Sequence, residues 1–198
     1  MGICLKKIYG VFAVMIVLIG ITYAWFLHQN PQSLKEDFED GFGEWVSDAD
    51  VPQDPNNPGH TVEWHIKRVT GFAHSGQYSL EFFLDGRQDD GTIWIERKIN
   101  MESKTQIRLK VSFWFYSEQE SFNTIAAVCA YAGSHKPKIE DDFTILGPAN
   151  QVAGWKSYVY TASLDMVSSE ELWVAIGITV RWETVMTYYV DDVEIEIS

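Results

Sequence analysis

Beyond residue 36 the chain alternates apolar and polar side chains with a period of two. In Gln106–Ser117, QIRLKVSFWFYS, one face collects Ile107, Leu109, Val111, Phe113 and Phe115, and the other Arg108, Lys110, Ser112, Trp114 and Tyr116. Leu172–Glu183 puts Val174, Ile176, Ile178 and Val180 inward, and Trp173, Ala175, Gly177, Thr179, Arg181 and Glu183 outward. Tyr189–Ile197 turns Val193, Ile195 and Ile197 to the core, with Asp191 on the same parity. Shorter runs predict strands over 59–69, 78–84, 92–99, 124–131 and 155–161. The connections carry Gly, Pro, Asn and Asp, as in 48–60, 85–91 and 133–150. The three prolines of 48–60 keep that stretch out of a central strand. No long helical period and no internal repeat interrupts the pattern, which predicts an all-β sandwich over residues 36–198.

The first 29 residues are different. Ile8–Leu27 is uncharged and long enough to cross a bilayer as a helix. Lys6 and Lys7 precede it, so the positive-inside rule places the N-terminus in the cytoplasm and the sandwich outside. The expected organisation is a single-pass anchor over 1–29, a short linker over 30–35 and one exported domain. Thr22-Tyr23-Ala24 offers an alternative, cleavage after Ala24 and secretion.

Charge narrows the partners. Of 15 Lys+Arg and 28 Asp+Glu, only Lys6 and Lys7 lie in the first 30 residues, so the domain is strongly acidic. It lacks the basic surface that phosphates require, which excludes nucleic acid. A neutral polymer, a cation or a protein remains. Two cysteines, Cys4 and Cys129, lie on opposite sides of the apolar segment and supply neither a disulfide framework nor a thiolate zinc site.

Four pieces in order carry a family resemblance: Phe38-Glu39-Asp40-Gly41 with Trp45, Ala73-His74-Ser75-Gly76-Gln77-Tyr78-Ser79-Leu80, Val111-Ser112-Phe113-Trp114-Phe115, and Val190-Asp191-Asp192-Val193-Glu194-Ile195. Together they resemble the galactose-binding-like jelly rolls, in particular the carbohydrate-binding modules found beside xylanases and glucanases. The resemblance implies a jelly-roll sandwich that binds a polysaccharide or glycan without catalysis. It also implies a structural calcium ion held by Glu39 and Asp191, with backbone carbonyls around Ser75 and Gln77. Calcium takes six to eight oxygen ligands, and carboxylates with carbonyls are of that kind.

Sugar binding needs flat aromatic faces with fixed polar groups beside them. The outward aromatics and their neighbours supply the candidates Trp94, Trp114, Tyr116, Tyr131, Trp173, Arg181 and Glu183. Two other functions compete with glycan binding: an adhesion or structural domain that contacts protein, and a glycan-cleaving enzyme. Glu96, Glu183, Asp141 and Asp142 are available acids, but no spacing singles out a hydrolytic pair. No Gly-x-Ser-x-Gly and no His-Glu-x-x-His is present.

Overall fold

The structure, a computed structural model, describes residues 32–101, 106–165 and 171–198. The predicted membrane helix lies outside them. Ser33–Ile197 forms one compact unit.

Eleven strands are present among the described residues: β1 Gln32–Glu36, β2 Val46–Asp50, β3 Trp64–Thr70, β4 Tyr78–Gly86, β5 Thr92–Asn100, β6 Gln106–Ser117, β7 Ala126–Gly133, β8 Thr144–Pro148, β9 Gly154–Asp165, β10 Glu171–Val180 and β11 Thr184–Ile197. They form two sheets. One runs β3-β4-β11-β6-β9, with β1 added to β11, and the other β2-β5-β10-β7-β8. The named pairings are antiparallel, as expected for a sandwich.

The core lies between the sheets. Ile107, Leu109, Val111, Phe113 and Phe115 of β6 face Val174, Ile176, Ile178 and Val180 of β10 within one buried cluster. Alternation is what delivers those side chains to a single layer, and burying them drives the two sheets together.

Three strands depart from expectation. The linker over 30–35 is largely β1, a short polar strand that gains its hydrogen bonds from β11. β8 falls inside a predicted loop, and β2 overlaps the start of another. Both are five-residue edge strands, and prolines bound them: Pro52 follows β2 and Pro148 closes β8. A lone polar or Pro-flanked edge strand carries no alternation long enough to read.

The last strand also needs a correction. Its pairing with β6 slips between Asp191 and Glu194, and Asp192 has φ 49°. This bulge flips the parity of β11. Before it Met186, Tyr188 and Val190 are buried in the core cluster, and after it Val193, Ile195 and Ile197. Asp191 therefore pairs beside the outward Trp114, not with the inward set.

Candidate functional site

The outward face of the six-stranded sheet carries a continuous patch of aromatic rings. Register places Tyr189 of β11, Tyr116 of β6 and Trp155 of β9 in one row, with Trp114 two residues before Tyr116. The β3–β4 connection adds two more rings from above. Phe72 stacks on Tyr189 at 4.5 Å, and His74 stacks on Trp114 at 3.9 Å. Trp155 meets His74 edge-on at 5.4 Å and Tyr116 at 5.5 Å, and Tyr116 approaches Phe72 at 5.4 Å. Six rings thus form one connected network. Phe72, the outermost, is 43% exposed. Beside Trp114 lies a cleft of about 450 Å³ whose lining includes Lys35, Asp37, Ser112, Ser157 and Glu194.

Carboxylates hold the β3–β4 connection in place. Asp191, fully buried, accepts the amides of His74 and Ser75 at 2.8 and 3.1 Å. Glu39 accepts those of Gln77 and Tyr78, each at 2.8 Å. Asp192 binds the His74 ring at 2.5 Å and the Ser75 hydroxyl at 2.7 Å. Gly76 has φ +61°, and a Cβ there would sit 2.3 Å from the Glu39 carboxylate, so the turn requires glycine. Burial pushes the Asp191 carboxyl up, against the pull of the three amides it accepts.

Glu39 and Asp191 do converge on the turn that the resemblance named, and their carboxylates are engaged there by backbone amides. Their oxygens face amide N–H groups. The cation at this place is Arg68, whose guanidinium donates to the carbonyls of Phe38, at 2.6 Å, and Glu39. It also lies over the Tyr78 ring. Among the described residues, no group of three or more His, Cys, Asp and Glu side chains is placed to hold a metal.

The outward face of the five-stranded sheet is closed. Trp94, Cys129, Ala175 and Thr179 are fully buried there, and Glu96 nearly so. Segment 134–143, between β7 and β8, covers them. Phe143 leans on Trp94 at 5.1 Å and on Tyr131 at 6.0 Å. Lys136 reaches Glu96 at 2.8 Å and Asp48 at 2.7 Å, while Arg181 reaches Glu140 at 2.6 Å.

The seven predicted ligand residues are therefore divided. Trp114 and Tyr116 belong to the half-buried aromatic patch, where the His74 ring covers one face of Trp114. Trp94 is a correction: its indole is sealed beneath Phe143, with Nε1 donating to Glu96 at 3.0 Å, and offers no face to solvent. Tyr131 holds the covering segment through its hydroxyl, which donates to the His135 carbonyl at 2.8 Å. Burial pushes that phenol up. Arg181 is engaged by the same segment, Trp173 is half-buried opposite Gly133 and Lys98, and Glu183 is exposed in the β10–β11 turn. The sequence reading missed Phe72, His74, Trp155 and Tyr189 as members of the patch. The bulge parity of β11 was the available signal for Tyr189. Phe72 and His74 lie in a loop and had none.

No protein-family model matches the chain, and no curated protein does. Solved structures do match its fold. The xylan-binding CBM22-2 domain of Paenibacillus barcinonensis Xyn10C aligns at 16% identity and TM-score 0.51, covering 82% of this chain and 97% of that one. A structure from work on carbohydrate-binding modules of the β-sandwich superfamily aligns at 15% identity and TM-score 0.52, covering 83% and 74%. The K3 cleaved adhesin domain of Lys-gingipain from Porphyromonas gingivalis W83 aligns at 14% identity and TM-score 0.50, covering 83% and 99%. What the chain shares with these proteins is the β-sandwich fold that carbohydrate-binding modules use.

Proposed function

We propose that residues 33–197 form a non-catalytic carbohydrate-binding domain, held outside the cell membrane by the apolar segment 8–27. The six-ring patch with its adjoining cleft carries this reading. Aromatic faces take the C–H sides of sugar rings, and Lys35, Ser112 and Ser157 supply hydrogen bonds to hydroxyls at the margin. The acidic balance of the chain favours a neutral glycan over a polyanion. The fold supports the reading, since one structural neighbour is a xylan-binding domain. Single-pass membrane attachment, N-terminus inward, follows from Lys6 and Lys7 ahead of the apolar run.

A protein-contacting adhesion domain is the second reading. Its support is the apolar end of the sandwich, where Phe122 is 90% and Trp182 66% exposed, together with the fold shared with an adhesin domain.

Affinity electrophoresis through gels containing soluble xylan, β-glucan or galactan separates the two. Retention of the wild-type chain, weakened about tenfold in Trp155→Ala and in Phe72→Ala, is expected; that is about 1.4 kcal/mol of binding. Wild-type mobility unchanged by every neutral polysaccharide in the panel rejects glycan binding at this patch.

A further inference from the structure

A sheet edge offers unpaired N–H and C=O groups to any strand that can reach it, and natural proteins blunt such edges. Four edges of this sandwich are blunted. β1, β2 and β8 have five residues each, β2 carries Asp48 and Asp50, and β8 ends in Pro148 beside a slip in its pairing with β7. β3 is seven residues long and carries His65, Lys67 and Arg68. β9 has none of these devices. Its 12 residues pair with β6 without a slip, from Gln106↔Asp165 to Ser117↔Gly154. Among the described residues, no strand pairs with its other side.

The composition of β9 suits pairing. Residues 157–164, Ser-Tyr-Val-Tyr-Thr-Ala-Ser-Leu, contain no charge, glycine or proline, and Tyr, Val and Thr favour an extended chain. Lys156, just before them, is tied back to the Ser117 hydroxyl and the carbonyls of Ala149 and Val152, each at 2.8 Å. The row of β9 that faces the core is left unsealed. Tyr158, Tyr160, Ala162 and Leu164 pack on the core cluster but are only partly buried, whereas their β6 partners Phe113, Val111, Leu109 and Ile107 are buried. On the outward row Ser157, Val159, Thr161 and Ser163 are exposed, Val159 by 51%.

We infer that β9 is a dimerisation edge, on which a second copy of this chain lays its own β9, antiparallel, across a two-fold axis normal to the sheet. Such an axis keeps the outward faces of both copies on one side, so outward residues meet outward residues. Centred on Tyr160, the register sets Val159 opposite Thr161 of the second copy, Ser157 opposite Ser163, and the large Tyr158 opposite the small Ala162. The edge is thus complementary to itself, and no charged residue meets a like charge. An uncharged strip is also where two chains of net charge -13 can approach each other. Pairing joins two six-stranded sheets into one continuous sheet and seals the half-open row of Tyr158, Tyr160, Ala162 and Leu164. None of this depends on glycan binding.

Sedimentation equilibrium of the full chain in density-matched detergent reads the protein mass. The wild-type chain should pass from monomer to dimer as its concentration rises through the micromolar range. Val159→Lys adds the kind of charge that guards β3 and sets two lysines diagonally across the axis, so it should weaken dimerisation about tenfold or more. Val159→Thr, equally suited to a strand, should leave it unchanged. Circular dichroism and melting temperature should match the wild type in both variants, since the side chain is half exposed. Register is read in a Cys4→Ser background, where Cys129 is buried and unreactive. Val159→Cys and Thr161→Cys chains, mixed, should oxidise to a disulfide-linked pair, because directly opposite residues lie about 4.5–5.5 Å apart. Either variant alone places its thiols on a diagonal of about 7–8 Å and should stay unlinked. A wild-type chain that remains monomeric at about 100 µM overturns the inference. So does a dimer that Val159→Lys leaves intact, because it assembles through another part of the chain. Crosslinking of either single variant in preference to the mixture overturns the pairing about Tyr160.

Discussion

The two outward faces of this sandwich arise from the same alternation and end in opposite states. On the six-stranded sheet Trp114, Tyr116, Trp155 and Tyr189 stay within reach of solvent, and the added loop brings further rings. On the five-stranded sheet the equivalent positions of β5, β7 and β10 are Trp94, Cys129, Ala175, Gly177 and Thr179, all buried beneath segment 134–143. The difference lies in side-chain size and in what the loop brings. Small residues on β7 and β10 leave a trough that a crossing segment can fill. The large rings on β6, β9 and β11 leave no trough, so the loop there can only extend the ring surface. Alternation settles which way a residue points. It does not settle whether that direction leads to water.

The sharpest way to break the comparison is to truncate one indole from each face. Trp94→Ala empties a fully enclosed site and should cost about 3–5 kcal/mol of stability. Trp155→Ala removes a half-exposed ring and should cost less than about 1.5 kcal/mol, while glycan retention falls. Urea unfolding followed by circular dichroism measures both. Equal losses would mean that the six-stranded face is as structural as the other, and that its rings serve to hold the β3–β4 loop.

The fold was largely legible because its central strands are long. β6 was readable to the residue, since twelve positions of strict alternation leave no other solution. β10 is readable at its start but ends at Val180, three residues before Glu183, and its outward set does not face solvent. Nothing local in Ala175-Ile176-Gly177-Ile178-Thr179 says that a segment more than thirty residues earlier will cover it, although the small outward side chains were a hint. The site was legible only in part. Trp114 and Tyr116 follow from parity, while Phe72 and His74 depend on a loop whose path is set by Asp191 and Glu39 from distant strands. Such long-range hydrogen bonds leave no period in the sequence.

A smaller effect concerns acid. At the margin of the open patch, Glu81 pairs with Lys67 at 2.7 Å and His65 at 3.1 Å. Burial pushes its carboxyl up, but the hydrogen bonds from Lys67 and His65 outweigh that and carry it below the usual carboxylate range. A folded-state pKa below the unfolded one contributes stability that is present above the ordinary glutamate value of about 4.3. That contribution is lost as pH falls through the lower, folded value. Glu81→Gln should therefore flatten the acid limb of thermal stability, by less than about 1 kcal/mol for a pair that is partly exposed. Identical acid limbs in both proteins would show that this margin adds nothing to the face.

The smallest expected effect is none at all, and it tests what fixes the open face. The loop that carries Phe72 and His74 is tied to both ends of the domain by Glu39 and Asp191. A calcium ion can tie chain segments in this way, but only if oxygens converge on it. Here the amides of His74, Ser75, Gln77 and Tyr78 satisfy the carboxylates, and the Arg68 guanidinium satisfies the carbonyls of Phe38 and Glu39. Amides and a guanidinium already provide positive partners there. Melting curves with excess calcium and with chelator should superimpose, while Arg68→Met should lower the melting temperature by several degrees, roughly 1–2 kcal/mol. If calcium instead raises the melting temperature, and Asp191→Ala abolishes the response, the metal holds the loop and Arg68 is secondary. The open face would then depend on a ligand of its own, and the two faces would differ in composition and also in what keeps them in place.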